Sequence, residues 1–314
     1  MIAKIIGALK PPSKLKKVPS FIIGMVAGLY NSLTNLYYAR RNYKQFLKSG
    51  KKAIEGGLPY DLDRVQWQFA DAGYKPDEYF VHVEAFNRYC IRHEGAYRDY
   101  KAGHKEVFVE KALEHFVSLS FTFLSPASRI IDIANAGSPF PDIVHDLYGC
   151  DVWSNDLIFP KGIHRKDWHT QIGGDACQLP IDDNLFDLAV LHCALEMFED
   201  EADIGLIREA DRILKLGGKL VIAPLYMNET YHILRDPKTY RNPLPKIDDG
   251  AELVYREDFY GIGFARFYNV DAFLKRMVGT AEKLDLRIYR VRNLSDIHPD
   301  CYLNWIAVFE KKAN

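Results

Sequence analysis

The sequence lacks the cysteine and histidine patterns of a disulfide framework or a metal site. Its five cysteines show no CxxC spacing; they are Cys90, Cys150, Cys177, Cys193 and Cys301. An odd number of unpatterned cysteines is typical of a reducing compartment, so we expect a cytoplasmic protein without structural disulfides. The ten histidines form no HExxH motif and no Cys/His cluster, and we therefore expect no metal.

Acidic residues are almost absent from the first 57 positions. This segment carries eleven Lys and Arg against one acid, Glu55, a net charge of +10 in a chain whose total is −1. The remaining residues are therefore acidic, at −11, which is the wrong sign for a phosphate backbone and argues against a nucleic-acid partner. The basic segment itself is expected to meet an anionic surface.

Long apolar runs are also scarce, and the longest uncharged run extends from Val18 to Ala39. Its 22 residues could span a bilayer, but its second half is polar and basic residues flank both ends. We favour a helix that lies in the membrane interface, which would place the protein peripherally at the inner face of the membrane. A helix packed on the protein itself and a true membrane span remain the alternatives.

Residues 58–125 have the composition of a helical extension. Val81, Ala85 and Tyr89 recur at helical spacing, and the stretch from Lys105 to Phe121 is amphipathic. We expect this second helix to cover the edge of a sheet and to help roof a ligand pocket. Pro126 marks the boundary to the rest of the chain, 126–314.

The stretch from Ser128 to Asp156 has the plan of a nucleotide-binding βαβ unit. An apolar strand is followed by a turn of small residues (134–138), a helical stretch and a second short strand that ends at Asp156. The turn is built mostly of alanine and serine where the glycine-rich fingerprint has glycine. Small residues let backbone amides approach a ligand, and the terminal acid can accept hydrogen bonds from a ribose diol.

Strands and helices continue to alternate after this unit. Leu188 to Leu191 reads as a buried parallel strand, a helix follows with apolar residues from Ile204 to Leu214, and Lys219 to Ala223 reads as another strand. This alternation predicts an α/β fold with a parallel sheet and right-handed crossovers. Ligands of such sheets lie beyond the carboxyl ends of the strands, which here are Asp132, Asp156, Asp175 and the segment 191–193.

Two further motifs resemble the class I S-adenosylmethionine-dependent methyltransferases, in the branch called methyltransferase type 11. The first runs from Gly174-Asp175-Ala176 to Phe186-Asp187, and the second from Leu206 to Ile222 with Gly217-Gly218 inside it. The resemblance implies a Rossmann-like, mostly parallel seven-stranded sheet. It also implies a closing antiparallel hairpin, for which 284–291 and 302–309 are the candidate strands.

The resemblance further implies S-adenosylmethionine as cofactor and assigns residues to it. Asp132 and the turn residues Ala134, Asn135, Ala136 and Gly137 would hold its methionine portion. Asp156 would bind the ribose hydroxyls, Asp175 and Ala176 would contact the adenine, and Leu191 and His192 would lie beside the sulfonium. Ala134 and Ala136 depart from the glycines of the family.

Methyl transfer to an alcohol needs a group that accepts the proton of the alcohol, and we expect His192 or Glu196 in that role. A long segment, 226–281, separates two core elements and is expected to be a substrate lid, with Tyr226, Tyr231, Arg266 and Tyr268 as candidate substrate-binding residues. The expected function is O-methylation of a small-molecule, glycan or lipid-linked acceptor. The alternative is a catalytically silent scaffold with the same fold at a membrane surface.

Overall fold

The structure, a computed structural model, describes residues 20–103, 108–259 and 261–312. The helices are α1 (Ser20–Lys48), α2 (Leu62–Asp71), α3 (Val83–Arg92), α4 (Glu94–Gly103), α5 (Phe108–Ser118), α6 (Phe140–Tyr148), α7 (Ala202–Ile213) and α8 (Val270–Phe273). Short 3-10 turns occupy Leu119–Phe121, Leu195–Met197 and Leu294–Asp296, and a π-helical turn occupies Leu274–Val278.

The strands form two sheets. They are β1 (Ala53–Ile54), β2 (Asp77–Tyr79), β3 (Arg129–Ile133), β4 (Asp151–Lys166), β5 (His169–Gly173), β6 (Phe186–His192), β7 (Leu214–Ala223), β8 (His232–Arg235), β9 (Glu252–Arg256), β10 (Ala265–Phe267), β11 (Leu284–Val291) and β12 (Trp305–Lys311). The larger sheet has the order β2-β11-β12-β7-β6-β3-β4-β5, and the smaller has the order β1-β9-β8-β10.

The larger sheet confirms the predicted fold class. Strands β4, β3, β6 and β7 run parallel, while β12 lies antiparallel between β7 and β11 and so forms the expected closing hairpin. Seven of its strands, from β11 to β5, match the number expected from the resemblance. The eighth, β2, comes from the helical extension and pairs in parallel with β11.

Apolar residues on both faces of the central strands explain why this sheet lies in the middle of the domain. In β6, Leu188 and Val190 face a core cluster shared with α3, α5 and α6, whereas Ala189 and Leu191 face a second cluster shared with α2 and α7. A strand covered by helices on both faces needs a continuous apolar run rather than an alternating one. Helix α5 lies within the predicted amphipathic stretch, of which residues 105–107 fall outside the described ranges, and it covers the first of these faces and not the edge of the sheet.

The second half of β4 forms an antiparallel hairpin with β5, which the sequence did not predict. The first half of β4 runs parallel to β5 up to the pair Asp156 and Gly173, and the register then reverses, so that Ile163 faces Ile172 and Lys166 faces His169. Strand β5 therefore lies between the two halves of β4. A side chain at Gly173 would overlap the Pro160 carbonyl, so this close approach requires glycine.

The basic N-terminal segment continues into α1, whose last turns pack on the 226–281 segment. Asn42 Nδ2 donates hydrogen bonds to the carbonyl oxygens of Thr239 (2.8 Å) and Arg241 (3.1 Å). The buried Phe46 ring lies 4.7 Å from the ring of Tyr255. Both residues lie beyond the run from Val18 to Ala39, whose placement stays a prediction. None of the described helices is both long and apolar enough to cross a membrane, and residues 18 and 19 of the predicted run lie outside the described ranges.

Candidate active site

The turn after β3 has the left-handed backbone that a nucleotide-binding turn requires, although it is built largely without glycine. Ala134, Ala136 and Gly137 have φ angles of 55°, 50° and 78°. The side chain of Asn135 stabilises the turn, because its Oδ1 accepts from the Gly137 amide (3.0 Å) and its Nδ2 donates to Asp132 Oδ2 (2.6 Å). Ala136 and Gly137 are exposed, and their amides already donate to Asp156 and Asn135.

Asp156 lies at the carboxyl end of the first half of β4 and supports the same turn. Its Oδ2 accepts the amide of Ala136 (2.8 Å), and its Oδ1 accepts the amide of Ile158 (3.0 Å). A carboxylate has about four acceptor positions, so two remain for ribose hydroxyls. Leu157 and Ile158 follow immediately and are 79% and 73% exposed, which leaves an uncovered apolar surface beside the acid.

The other strand-end residues divide into exposed and buried positions. Asp175 is exposed and accepts the Cys177 amide with Oδ1 (2.9 Å). Ala176 and Leu191 are buried in the core cluster on the α7 face of the sheet. Asp175 is therefore placed to contact a ligand directly, whereas Leu191 is part of the apolar core.

His192 is buried at the end of β6, where both ring nitrogens face other side chains. Its Nε2 lies 2.9 Å from Ser118 Oγ of α5, and its Nδ1 lies 3.5 Å from Asp132 Oδ1. The ring packs edge-on against the rings of His115 and Phe140, with centroids 4.7 Å away in each case. This enclosure leaves His192 poorly placed to remove a proton from an acceptor.

Glu196 is the better placed of the two predicted bases. It is buried in the turn after β6, its Oε1 faces Cys193 Sγ at 3.5 Å, and its Oε2 has no hydrogen-bond partner among the described residues. Burial raises the pKa of this carboxyl above its usual range. A buried carboxyl oxygen without a partner is costly, and Glu110 Oε1 and Glu114 Oε1 of α5 share this property.

The Cys193 thiol beside this carboxyl is itself close to two tyrosine hydroxyls. Tyr226 OH lies 3.1 Å from Cys193 Sγ, and Tyr302 OH lies 3.9 Å from the same sulfur. Burial raises the pKa of Cys193, Tyr226 and Tyr302, so all three remain protonated at neutral pH. They can orient an acceptor but cannot remove its proton, which leaves that role to a carboxyl group.

Helix α5 supplies a set of buried charged groups to this region that the sequence reading missed. Lys111 Nζ donates to Glu114 Oε2 (2.5 Å) and to the His192 carbonyl (3.3 Å). Glu110 Oε2 accepts the amide of Tyr302 (3.0 Å), and burial raises the pKa of Glu110 to about 8. Charged residues on the inner face of a helix with an otherwise apolar stripe were the available sequence signal.

Three of the four predicted substrate-binding residues lie together in a buried ionic network. Arg266 is fully buried and donates to Asp248 Oδ2 (2.6 Å), Tyr231 OH donates to the same oxygen (2.5 Å), and Tyr268 OH donates to Asp203 Oδ2 (2.6 Å). This network joins the 226–281 segment to the start of α7. Tyr226 lies apart from it, beside Cys193, so the structure does not bring the four residues to one place.

The residues beyond β3, β4 and β5 fit the cofactor that the resemblance implies. Asp156 retains acceptor capacity, the turn is exposed at Ala136 and Gly137, and the uncovered pair Leu157 and Ile158 offers an apolar surface for a ring. Asp156 matches the ribose of the cofactor, the turn matches its amino-acid portion, and the pair Leu157 and Ile158 matches its base.

Comparison with known proteins finds one matching family. Residues 134–222 match the family described as "Methyltransferase domain". Comparison with curated proteins gives no significant match.

Solved structures with a similar arrangement include three methyltransferases. An S-adenosylmethionine-dependent methyltransferase from Methanosarcina mazei is 16% identical, with a TM-score of 0.40, over 61% of this chain and 96% of that chain. A Burkholderia thailandensis 1,6-didemethyltoxoflavin-N1-methyltransferase with bound S-adenosylhomocysteine is 10% identical (TM-score 0.45, 77% and 95%). A Streptomyces coelicolor geranyl diphosphate C-methyltransferase is 14% identical (TM-score 0.41, 67% and 84%).

Proposed function

We propose that this chain, which contains a class I S-adenosylmethionine-dependent methyltransferase domain, methylates a hydroxyl group of a small-molecule, glycan or lipid-linked acceptor. The family-model match confirms the predicted family, the methyltransferase activity and S-adenosylmethionine as the cofactor. The acceptor, the oxygen atom and the catalytic residues are our proposal. The observation that carries it is the buried, unpartnered Glu196 Oε2 among the protonated groups at the end of β6.

Asp156, Asp175 and the 134–137 turn would hold the cofactor, which supplies an electrophilic methyl group for in-line displacement. Tyr226 and Tyr302 orient the acceptor hydroxyl by hydrogen bonding. Glu196 Oε2 receives the hydroxyl proton as the new carbon–oxygen bond forms. The buried surroundings of Glu196 exclude water from the reacting groups.

The test begins with S-adenosylmethionine alone, in a calorimetric titration of the full chain. Saturable binding is expected, and its absence would favour the silent scaffold. Methyl-labelled cofactor is then incubated with the protein and with separated small-molecule, glycan and lipid fractions. Label recovered as a methyl ether supports the proposal, whereas label found only on nitrogen or carbon contradicts it.

Glu196→Gln tests the role of the carboxylate. We expect turnover to fall by about 10²- to 10⁴-fold, the usual contribution of a general base, while affinity for S-adenosylmethionine changes little. Glu201→Gln, at an exposed position in the same region, is the matched control. Unchanged turnover in Glu196→Gln would remove this residue from the mechanism.

We further propose that the basic N-terminal segment contacts an anionic membrane surface. Its net charge of +10 and the exposed Leu33 and Leu36 on α1 support this placement. Flotation with vesicles of phosphatidylcholine, with and without phosphatidylserine, tests it. We expect flotation only with the anionic lipid and its loss in a Leu33→Ser/Leu36→Ser variant, and equal behaviour in both vesicle types would refute the idea.

A further inference from the structure

A bare imidazole nitrogen is buried in the 226–281 segment. His232, the first residue of β8, is fully buried, and its Nδ1 lies 2.8 Å from the backbone carbonyl oxygen of Thr230. A carbonyl oxygen can only accept, so this contact requires the ring hydrogen on Nδ1. Burial lowers the pKa of His232 below its usual value, so the ring is neutral at neutral pH. Nε2 is therefore a hydrogen-bond acceptor, and it has no partner among the described residues.

A row of four rings joins this nitrogen to the groups at the end of β6. The His232 ring is stacked on the Phe267 ring, at 14° and with centroids 4.9 Å apart. The Phe267 ring contacts that of Tyr226 edge-on (5.1 Å), and the Tyr226 ring stacks on that of Tyr302 (6.1 Å). These four residues form the ring wall. Its two tyrosine hydroxyls are the ones that lie beside Cys193.

Hydrogen bonds hold the middle of the ring wall beside the turn that follows β6. The Tyr268 amide donates to the Tyr226 carbonyl oxygen (3.1 Å). Arg266 Nη1 donates to the carbonyl oxygen of Phe198, the residue directly after that turn (2.6 Å). The two donors are the chain neighbours of Phe267, so this residue is fixed on both sides. The ring wall and the turn therefore form one surface.

The ring wall has a buried acceptor atom without a partner at each end. Glu196 Oε2 lies at one end, next to Cys193, and His232 Nε2 lies at the other. A donor on a bound ligand removes the cost of such an atom, and the other three rings of the wall are only partly buried, so a ligand can contact them. His93 also has a buried ring nitrogen without a partner among the described residues, but its ring packs on Tyr89 and not on the wall.

We propose that the ring wall binds the acceptor, and that His232 Nε2 accepts a hydrogen bond from a second hydroxyl group of the same molecule. This assignment rests on the proposed function, in which Glu196 receives the proton of the hydroxyl to be methylated. A ring skeleton matches a surface of stacked rings, and two acceptor atoms require two donors. The acceptor is therefore a ring compound with at least two hydroxyl groups. A diphenol and a sugar share this chemistry, and a simple alkyl alcohol lacks it.

Nitrogen NMR of the full chain with labelled histidine tests this subsite without any methyl transfer. At neutral pH we expect His232 to show one protonated and one bare nitrogen, assigned by their loss in His232→Gln. Hydroquinone and cellobiose are the diphenol and sugar probes, and the one that shifts the bare nitrogen in a saturable way identifies the source. Phenol and cyclohexanol keep a ring but have one hydroxyl, so they should bind about tenfold more weakly than the matching probe. No shift with either probe, or equal binding of its one-hydroxyl counterpart, would overturn the proposal.

Variants of two buried histidines give the second test. His232→Phe keeps a ring against Phe267 and removes Nε2, whereas His232→Gln keeps an acceptor oxygen in the side chain. We expect affinity for the responding probe to fall about tenfold in His232→Phe and to recover in His232→Gln, with unchanged affinity for S-adenosylmethionine. His93→Phe is the matched control, because it removes another buried nitrogen without a partner, and an equal loss there would overturn the proposal.

Two outcomes separate this subsite from the proposed function. Probe binding in a chain that has no affinity for S-adenosylmethionine would refute the proposed function and leave the subsite in place. Should His232→Phe fail to fold, the comparison of each probe with its one-hydroxyl counterpart on the wild-type chain decides.

Discussion

Asp203→Asn should destabilise the protein more than any exposed charge substitution, because Asp203 balances two arginines in a buried site. Its side chain is fully buried and accepts hydrogen bonds from Tyr268 OH (2.6 Å), Arg276 Nε (2.8 Å) and Arg276 Nη2 (2.7 Å). Arg266 Nη1 lies 3.2 Å away. The substitution keeps the shape of the side chain and removes its charge.

The expected loss in the free energy of unfolding depends on which partners of Asp203 lose their counter-charge. Breaking a buried ion pair costs about 3–5 kcal/mol, since it leaves a charge uncompensated. Arg266 keeps its bonds to Asp248, and Arg276 is 17% exposed and can reach water, so we expect about 3 kcal/mol. For 314 residues, an unfolding entropy of about 2.1 cal/mol/K per residue converts this loss into a Tm lower by about 5 °C.

Urea and thermal unfolding followed by circular dichroism measure this loss. The matched control is Asp183→Asn, because Asp183 is 65% exposed and its ion pair with Arg212 is worth at most about 1 kcal/mol. Equal losses in the two variants would refute the reasoning.

The pH dependence of the stability of wild type and Asp203→Asn gives a second check. Burial opposes the ionisation of Asp203, but its bonds to Arg276, Arg266 and Tyr268 outweigh burial and hold its pKa below the usual value. The stabilisation is therefore present above the unfolded-state pKa, about 3.9, and is lost as the pH falls through the lower folded-state value. The difference between wild type and Asp203→Asn should shrink in acid.

Three further outcomes are expected. Asp156→Ala should weaken binding of S-adenosylmethionine in calorimetry by about 30-fold, the loss of about 2 kcal/mol of charge-assisted hydrogen bonding, and an unchanged affinity would contradict its assignment. Gly173→Ala should lower the Tm. Gly174→Ala should not, because an added Cβ there meets no atom within 4 Å. A tolerated Gly173→Ala would show that β5 does not lie against Pro160 as described. Burial raises the pKa of Glu110 to about 8, so the free energy of unfolding of wild type should fall as the pH rises from about 4 to about 8. In urea unfolding, the stability of Glu110→Gln relative to wild type should therefore increase across that window. A pH-independent difference would refute this.

The parallel core was predictable because its strands are buried on both faces. The run from Leu188 to Leu191 cannot alternate with polar residues there. The strand predicted from Lys219 begins earlier, at Leu214, so Gly217-Gly218 lies inside β7 and not at the end of α7. The antiparallel hairpin of the second half of β4 with β5 was not predicted. Its sequence from Leu157 to Lys166 has exposed side chains throughout most of its length, so no burial pattern marks it as a strand, and only Pro160 and Gly162 signal a turn.

The contacts that build the site could not be read from the sequence, because their partners are far apart in the chain. Tyr268 and Asp203 are 65 residues apart, and Ser118 and His192 are 74 residues apart. Tyrosine and arginine in a long insertion resemble a ligand-binding surface whether they face a ligand or each other. The contacts of each side chain in the folded protein decide whether it binds a ligand or another side chain, and the sequence does not show those contacts.

The alanines at 134 and 136 illustrate how distant contacts can replace a local sequence signal. A left-handed backbone costs an alanine about 1–2 kcal/mol, which glycine avoids. Here Asp156 fixes the amide of Ala136, and Asn135 braces the amide of Gly137 while it bonds to Asp132. His192 and α5 in turn hold Asp132, so the extension and the turn depend on one another. The turn keeps its shape through this bracing, and the missing glycines therefore do not argue against cofactor binding.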